Sequence, residues 1–216
     1  MTRFIRRVFR DPFCGASHFV GALLAVVGLV ILLAIAAGRP WHVVSFSIYG
    51  ATLVLLFTAS CLAHSLHCSK ETEAKLDRLD YAAIFLLIAG TYTPICLVNL
   101  RGPWGWTLLG IEWGLAIIGI CTVLLGGGRT NGLRTIVYLA MGWLVLIAIP
   151  PLLAHVEPAG LAWLTAGGIA YSVGAVVFVT DWPHISVRRF AAHDLWHCLV
   201  LVGSGCHFVV MARYVA

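Results

Sequence analysis

The sequence predicts an all-α integral membrane protein, a seven-transmembrane-helix bundle with its N-terminus cytoplasmic and its C-terminus outside. Three observations lead there. Of 216 residues, 61% are apolar and only 11% charged, with a mean hydropathy of +0.96; soluble domains run at about 25% charged and about 45–50% apolar. The apolar residues form continuous runs, as in Val20–Ala37, rather than the alternating segments of a transmembrane barrel. Seven spans of about 20 residues take up about 140 residues, which leaves short loops and a single seven-helix domain over 1–216. Too few charges remain to cover a water-facing surface, so a soluble enzyme, a disordered tail and a disulfide-rich secreted scaffold are excluded.

The spans are bounded by their interruptions. The first runs from about Ser17 to Ala37 and stops at Gly38-Arg39-Pro40. The second covers Val43 to His64, and a polar stretch rich in Lys and Glu, Ser65–Leu79, follows. The third spans Asp80 to Val98 and closes at Arg101-Gly102-Pro103. The fourth, Trp104 to Leu125, ends in Gly126-Gly127-Gly128, a run that favours a turn. The fifth covers Leu133 to Ala154, with Pro150-Pro151 kinking its far end. The sixth is Leu161 to Thr180 and the seventh Ala191 to Tyr214. The arginines ahead of the first span imitate a signal peptide, but the apolar stretch is too long and lacks a small-x-small exit. It reads as a retained helix.

Orientation follows from Lys and Arg. With the N-terminus inside, the inner segments hold Arg3, Arg6, Arg7, Arg10, Lys70, Lys75, Arg78, Arg129, Arg134, Arg188 and Arg189; the outer ones hold Arg39, Arg101 and Arg213. That asymmetry favours N-inside and assigns the net charge of +5 to loops facing anionic lipid, so no nucleic acid is needed to explain it. The seven cysteines contain no C-x-x-C pair; Cys61, Cys96, Cys121, Cys198 and Cys206 fall within spans and read as small packing residues. Trp41, Trp104, Trp106, Trp163 and Trp182 lie near span ends, where tryptophan anchors at the interface. No internal repeat supports an inverted-repeat transporter.

Nine histidines stand in this apolar chain, and an ionisable group inside a membrane segment is costly enough to suggest function. His193 and His197 are four apart and share a helix face, a spacing suited to one metal ion. Ser60 and His64 repeat it at the end of the second span. With alternating span directions, His64, Asp80, His193 and His197 reach one depth near the inner face, with Ser60 one turn deeper. The alternative is a set of separate interfacial histidines with solvent or carbonyl partners. Convergence favours zinc, which commonly takes three protein ligands plus an open position and acidifies water there. His64, His193 and His197 are the expected ligands, Asp80 the base beside them, and Ser60 a hydrogen-bond donor to water or substrate. His18 can line the same cavity. His67 reads as a loop residue. His207, about 15 Å farther along the seventh helix than His197, suits an interhelical hydrogen bond. His42, His155 and His184 read as loop or interface residues. Glu112 is an intramembrane acid whose role stays open between pairing and lining a path, and Asp194 suits the helix dipole.

Ser60-Cys61-Leu62-Ala63-His64, the run from Leu79-Asp80-Tyr81 through Gly90-Thr91-Tyr92-Thr93-Pro94, and His193-Asp194-Leu195-Trp196-His197 followed by Gly203-Ser204 and His207-Phe208 together resemble the haemolysin III branch of the progestin and adipoQ receptor family. Ser17-His18 resembles that family's first-helix motif. The resemblance covers essentially the whole chain. It implies seven helices, a cytoplasmic N-terminus, and zinc near the cytoplasmic side held by His64, His193 and His197, with Asp80 holding water and Ser60 as the family serine. Ala63 and Tyr81 depart from residues common in the family (Tyr and His), which bears on pocket shape more than on metal binding.

The function expected is zinc-dependent hydrolysis of lipid amides or esters, since the family resembles the alkaline ceramidases in this constellation. The alternatives are a pore or channel of the haemolysin type, or a ligand receptor with structural zinc. Haem is disfavoured, because ligands on one helix face do not reach opposite sides of a porphyrin. The expected partners are membrane lipids and a lipid-like substrate, with oligomers possible, in a cell membrane expected to be the bacterial inner membrane.

Overall fold

A computed structural model describes residues 10–125, 131–184 and 190–215. Arg3, Arg6, Arg7, Arg129, Arg188, Arg189 and the Gly126–Gly128 turn lie outside the described residues. Among the described residues, eight α-helices build seven segments long and apolar enough to cross a membrane. They are α1 (Pro12–Ile35), α2 (Pro40–Ser65), α3 (Lys70–Pro94), α4 (Pro103–Leu125), α5 (Asn131–Trp143), α6 (Ile149–His155), α7 (Pro158–Thr180) and α8 (Ala192–Val210). The fifth span joins α5 to α6 through a 3₁₀ stretch, Leu144–Ala148, while α3 and α8 each end in a π-helical turn, Ile95–Asn99 and Met211–Val215.

Proline opens α1, α2, α4 and α7, where its missing N–H is one the helix start leaves unpaired anyway. The third span starts earlier than the sequence pattern suggests. Ser69 caps α3 by accepting the Thr72 N–H at 3.3 Å, Glu71 and Glu73 sit in its first turn, and Lys75 pairs with Glu71 at 2.7 Å. The polar stretch is therefore mostly helix, and Asp80 stands well inside α3 rather than at its beginning. Pro150 and Pro151 lie in the first turn of α6, so the break they cause falls before them. Neither can donate to the carbonyl four residues back, and the ladder tightens to 3₁₀ over Leu144–Ala148.

The helices form a closed ring. α1 packs on α2 and α8, α2 on α3, α3 on α5, α5 on α7, and α7 on α8. α4 lies outside this ring against α3, which makes the third span the most buried of the seven. The exposed apolar side chains, among them Leu24, Val30, Ile118, Ile136 and Leu153, cover the outside of the bundle as a lipid-facing surface requires. Trp41, Trp104, Trp106, Trp163 and Trp182 are all exposed.

Polar contacts tie the ring together where hydrophobic driving force between helices is weak. Arg10 donates to Asp77 at 2.8 Å and to the Ala63 carbonyl at 3.3 Å, linking the chain before α1 to α2 and α3. The Asp11 N–H donates to the His64 carbonyl at 2.8 Å. Beside it α1 and α2 touch at Gly15, where any Cβ would run into the Ser65 hydroxyl. At the opposite end, Asn99 donates to the carbonyls of His155 and Tyr214, both at 3.3 Å. The break in the fifth span is held by Tyr92, whose hydroxyl accepts the Val145 N–H at 2.8 Å and donates to the Met141 carbonyl at 2.8 Å.

Tyr92→Phe leaves those backbone groups unpaired in an apolar setting. It is expected to cost about 1–3 kcal/mol, read as a lowered Tm of the purified protein in detergent. An unchanged Tm would show that the hydroxyl does not hold the fifth span.

Candidate metal centre

Three helix ends meet at one end of the ring. His193 and His197 lie in the first two turns of α8 and, being four apart, share its inner face. Their Nε2 atoms stand 3.2 Å apart. His64 comes from the last turn of α2, its ring centroid 4.7 Å from that of His197 and 5.2 Å from that of His193. Cys14, in the first turn of α1, completes the group. One ligating atom each from Cys14, His64, His193 and His197 lies within 4.8 Å of all the others. Two nitrogens on a tetrahedral ion with bonds of about 2.0–2.1 Å stand about 3.3 Å apart, which the α8 pair matches. The donor set, imidazoles with one thiol, suits a transition-metal ion.

The surroundings orient these ligands. Nδ1 of His64 donates to Oδ2 of Asp11 at 3.1 Å. A carboxylate can only accept, so the proton sits on Nδ1 and the lone pair of Nε2 faces the cluster, the usual arrangement behind a metal-bound histidine. Nε2 of His64 is 3.8 Å from Oδ2 of Asp80, and Ser60 lines the same cavity as Asp80. The His18 ring lies against that of His197, centroids 4.0 Å apart and planes tilted by 44°. Among the described residues, neither ring nitrogen of His18 nor Nδ1 of His197 has a hydrogen-bond partner, although all three atoms are buried. Buried polar atoms ordinarily find partners, so these orphaned nitrogens fit a site whose chemistry is not completed by protein alone.

The cluster opens onto a cavity of about 460 Å³ inside the ring, within the range of small-molecule sites. Its lining runs from Asp11, His64 and Asp80 to Tyr92, Trp143 and His207, and includes no residue of α4. A second cavity of about 250 Å³ shares Tyr92, Trp143, Gly168 and His207 with it and continues towards Leu152 and Leu161.

A family model described as haemolysin-III related matches residues 7–208. The chain belongs to the haemolysin III family. It is 42% identical to Hemolysin-3 of Bacillus cereus over 217 residues, covering 100% of this chain and 96% of that protein. It is also 42% identical to a Hemolysin-3 homolog of Bacillus subtilis (strain 168), covering 92% and 91%. The human monocyte to macrophage differentiation factor is 26% identical, over 92% of this chain and 81% of the human protein, which extends the kinship to the wider progestin and adipoQ receptor family.

In this haemolysin III protein, His64, His193 and His197 come together, and Asp80 and Ser60 line the adjoining cavity. His18 lines it too. His207 donates from Nε2 to the Leu164 carbonyl at 3.3 Å, an interhelical bond that suits its distance from the cluster. His67 is exposed beside Glu73, at 3.9 Å. Glu112 is fully buried, lies off the cavity, and neither of its oxygens has a partner among the described residues. Two members of the centre have no place in the sequence reading. Cys14 lies ahead of the first expected span and carries no mark of its own, although it precedes His18 by four and so shares its helix face. Asp11 lies just before the first span, where nothing in the sequence ties it to His64. Asp194, assigned only to the helix dipole, also accepts the Ala191 N–H at 2.8 Å and the Cys14 thiol at 3.1 Å.

The hydrogen bond from His64 holds the Asp11 carboxyl below its ordinary value of 3.8, against partial burial that opposes it. The folded chain therefore binds this proton less readily than the unfolded one. The stability Asp11 contributes is complete above its ordinary value and is lost as pH falls through the lowered one. Asp11→Asn should flatten the acid limb: from about pH 5 down to about pH 2 the wild-type Tm falls further than that of the variant. Parallel acid limbs would remove Asp11 from the account.

Proposed function

We propose that this protein is a zinc-dependent hydrolase of lipid amides or esters, with His64, His193 and His197 as the metal ligands. The observation that carries the reading is the junction of a transition-metal donor set with a largely apolar cavity inside the ring that also holds a carboxylate and a hydroxyl. Zinc, when bound, supplies Lewis acidity for a carbonyl oxygen and lowers the pKa of water to about 7.

The chain's own residues do the rest. Asp11 holds His64 in the ligating tautomer. Asp80, 3.8 Å from His64, accepts the proton of the attacking water and returns it to the leaving amine or alcohol. Ser60, on the same cavity wall, donates to a substrate oxygen. Leu56, Ile84, Leu87, Ile88 and Val200 line the wall of the larger cavity and seat an acyl chain, which continues past Tyr92 and Trp143 into the smaller one. The polar head stays near Arg10, Asp11 and Asp77 at the mouth. Arg10, Lys70, Lys75, Arg78 and Arg134 lie at this end of the bundle and Arg39, Arg101 and Arg213 at the other, which supports a cytoplasmic N-terminus and a centre near the cytoplasmic leaflet. Kinship with bacterial proteins supports placement in a bacterial inner membrane.

Purified wild type is expected to carry one zinc per chain by elemental analysis and to hydrolyse a lipid amide or ester in mixed micelles. His64→Ala and His197→Ala should lose both. Asp80→Asn should keep the metal and lose about 10²- to 10⁴-fold in turnover. Metal-loaded wild type inert towards lipid amides and esters would overturn the hydrolase reading.

The relatives' name, Hemolysin-3, favours a second reading, membrane permeabilisation by an assembly of chains around a structural metal. Dye or ion flux through proteoliposomes that persists in His193→Ala and after chelation would support it, and flux absent in wild type would remove it.

A further inference from the structure

Cys14 stands outside the three-histidine ligand set, yet its sulfur is one of the four atoms that lie within 4.8 Å of one another. The residue is 1% exposed. Its position is not left to a loose chain end, because the flanking residues are pinned on both sides. The Asp11 N–H is bonded to the His64 carbonyl at 2.8 Å, and Gly15 lies against Ser65. A buried cysteine with only a packing role sits among apolar atoms, whereas this one faces imidazole nitrogens on one side and Asp194 on the other. Its thiol donates to Oδ1 of Asp194 at 3.1 Å, and Asp194 is itself held by the Ala191 N–H at 2.8 Å. Nδ1 of His197, in the same cluster, is buried without a partner among the described residues. Thiolate joined to imidazole is a ligand combination that zinc-type ions take in closed, four-coordinate sites.

We propose that Cys14 is a fourth, displaceable ligand of the metal centre, so that the resting site is a closed Cys-His₃ set and a substrate gains its position only when the sulfur returns to Asp194. This rests on the metal-centre reading and adds regulation to it. On ligation a lone pair of Sγ goes to the cation, the S–H bond breaks, and the proton moves along the existing hydrogen bond to Oδ1 of Asp194. On release the proton returns to sulfur. No electron is gained or lost. Cys14 is then a positioning and guarding residue, since it neither attacks substrate nor carries its proton.

The full chain, purified in detergent and loaded with Co²⁺, tests this. Wild type should show the visible ligand-field bands of a tetrahedral site together with a near-ultraviolet thiolate-to-cobalt charge-transfer band. Cys14→Ser should lose the near-ultraviolet band alone and keep its cobalt stoichiometry, while Cys61→Ser and Cys198→Ser keep both. X-ray absorption at the zinc edge of unmutated protein gives the same answer without a variant: one sulfur at about 2.3 Å beside nitrogens at about 2.0–2.1 Å. Cobalt bound with no thiolate band, a band that survives Cys14→Ser, or a zinc shell without sulfur would each overturn the role of Cys14 and leave the three-histidine centre standing. Wild type that binds neither metal would overturn the centre and this proposal together.

Discussion

The attachment of the start of α1 to the end of α2 sets the rest of the centre. Asp11 makes it twice, with its N–H on the His64 carbonyl and its carboxylate on the His64 ring. The first bond satisfies a carbonyl that a helix end leaves open. The second chooses the tautomer of His64. Both act through one residue, so the position of α1 and the direction of the His64 lone pair are not independent. Arg10 extends the same attachment to α3 through Asp77, which keeps Asp80 beside the cluster.

The ring of six spans then divides labour with the excluded one. α4 supports α3 from outside and contributes nothing to the cavity wall. α3 is thus packed on both sides, which is what a helix bearing an intramembrane carboxylate needs if that group is to face the interior rather than lipid. The fifth span, broken over Leu144–Ala148, gives up part of its backbone ladder. The Tyr92 hydroxyl restores partners there, as a lipid setting demands of every irregular backbone segment. The same tyrosine lies where the two cavities join, so the repair of the break and the continuity of the interior space share one side chain.

The centre combines deep burial with incomplete internal pairing. His18 and His197 keep buried nitrogens without partners among the described residues. Cys14 and Asp194 by contrast are paired with each other. Two candidate donors, Cys14 and His64, are thus engaged by carboxylates of the chain itself.

Composition and hydropathy alone were enough to read a seven-helix membrane bundle and the rough course of its spans, and alternating span direction led to the expectation that His64, His193 and His197 meet near Asp80. These follow from composition and from helical periodicity, which are properties of single segments. The same reading placed the start of α3 too late, because a charged first turn with a serine cap reads as loop when hydropathy alone is followed, and it put the break of the fifth span at the prolines rather than in the turn before them. Cys14 and Asp11 became members of the site only in three dimensions. Their partners are 53 to 180 residues away in the chain, and nothing local marks a thiol or a carboxylate as facing an imidazole until helix packing brings the two ends together.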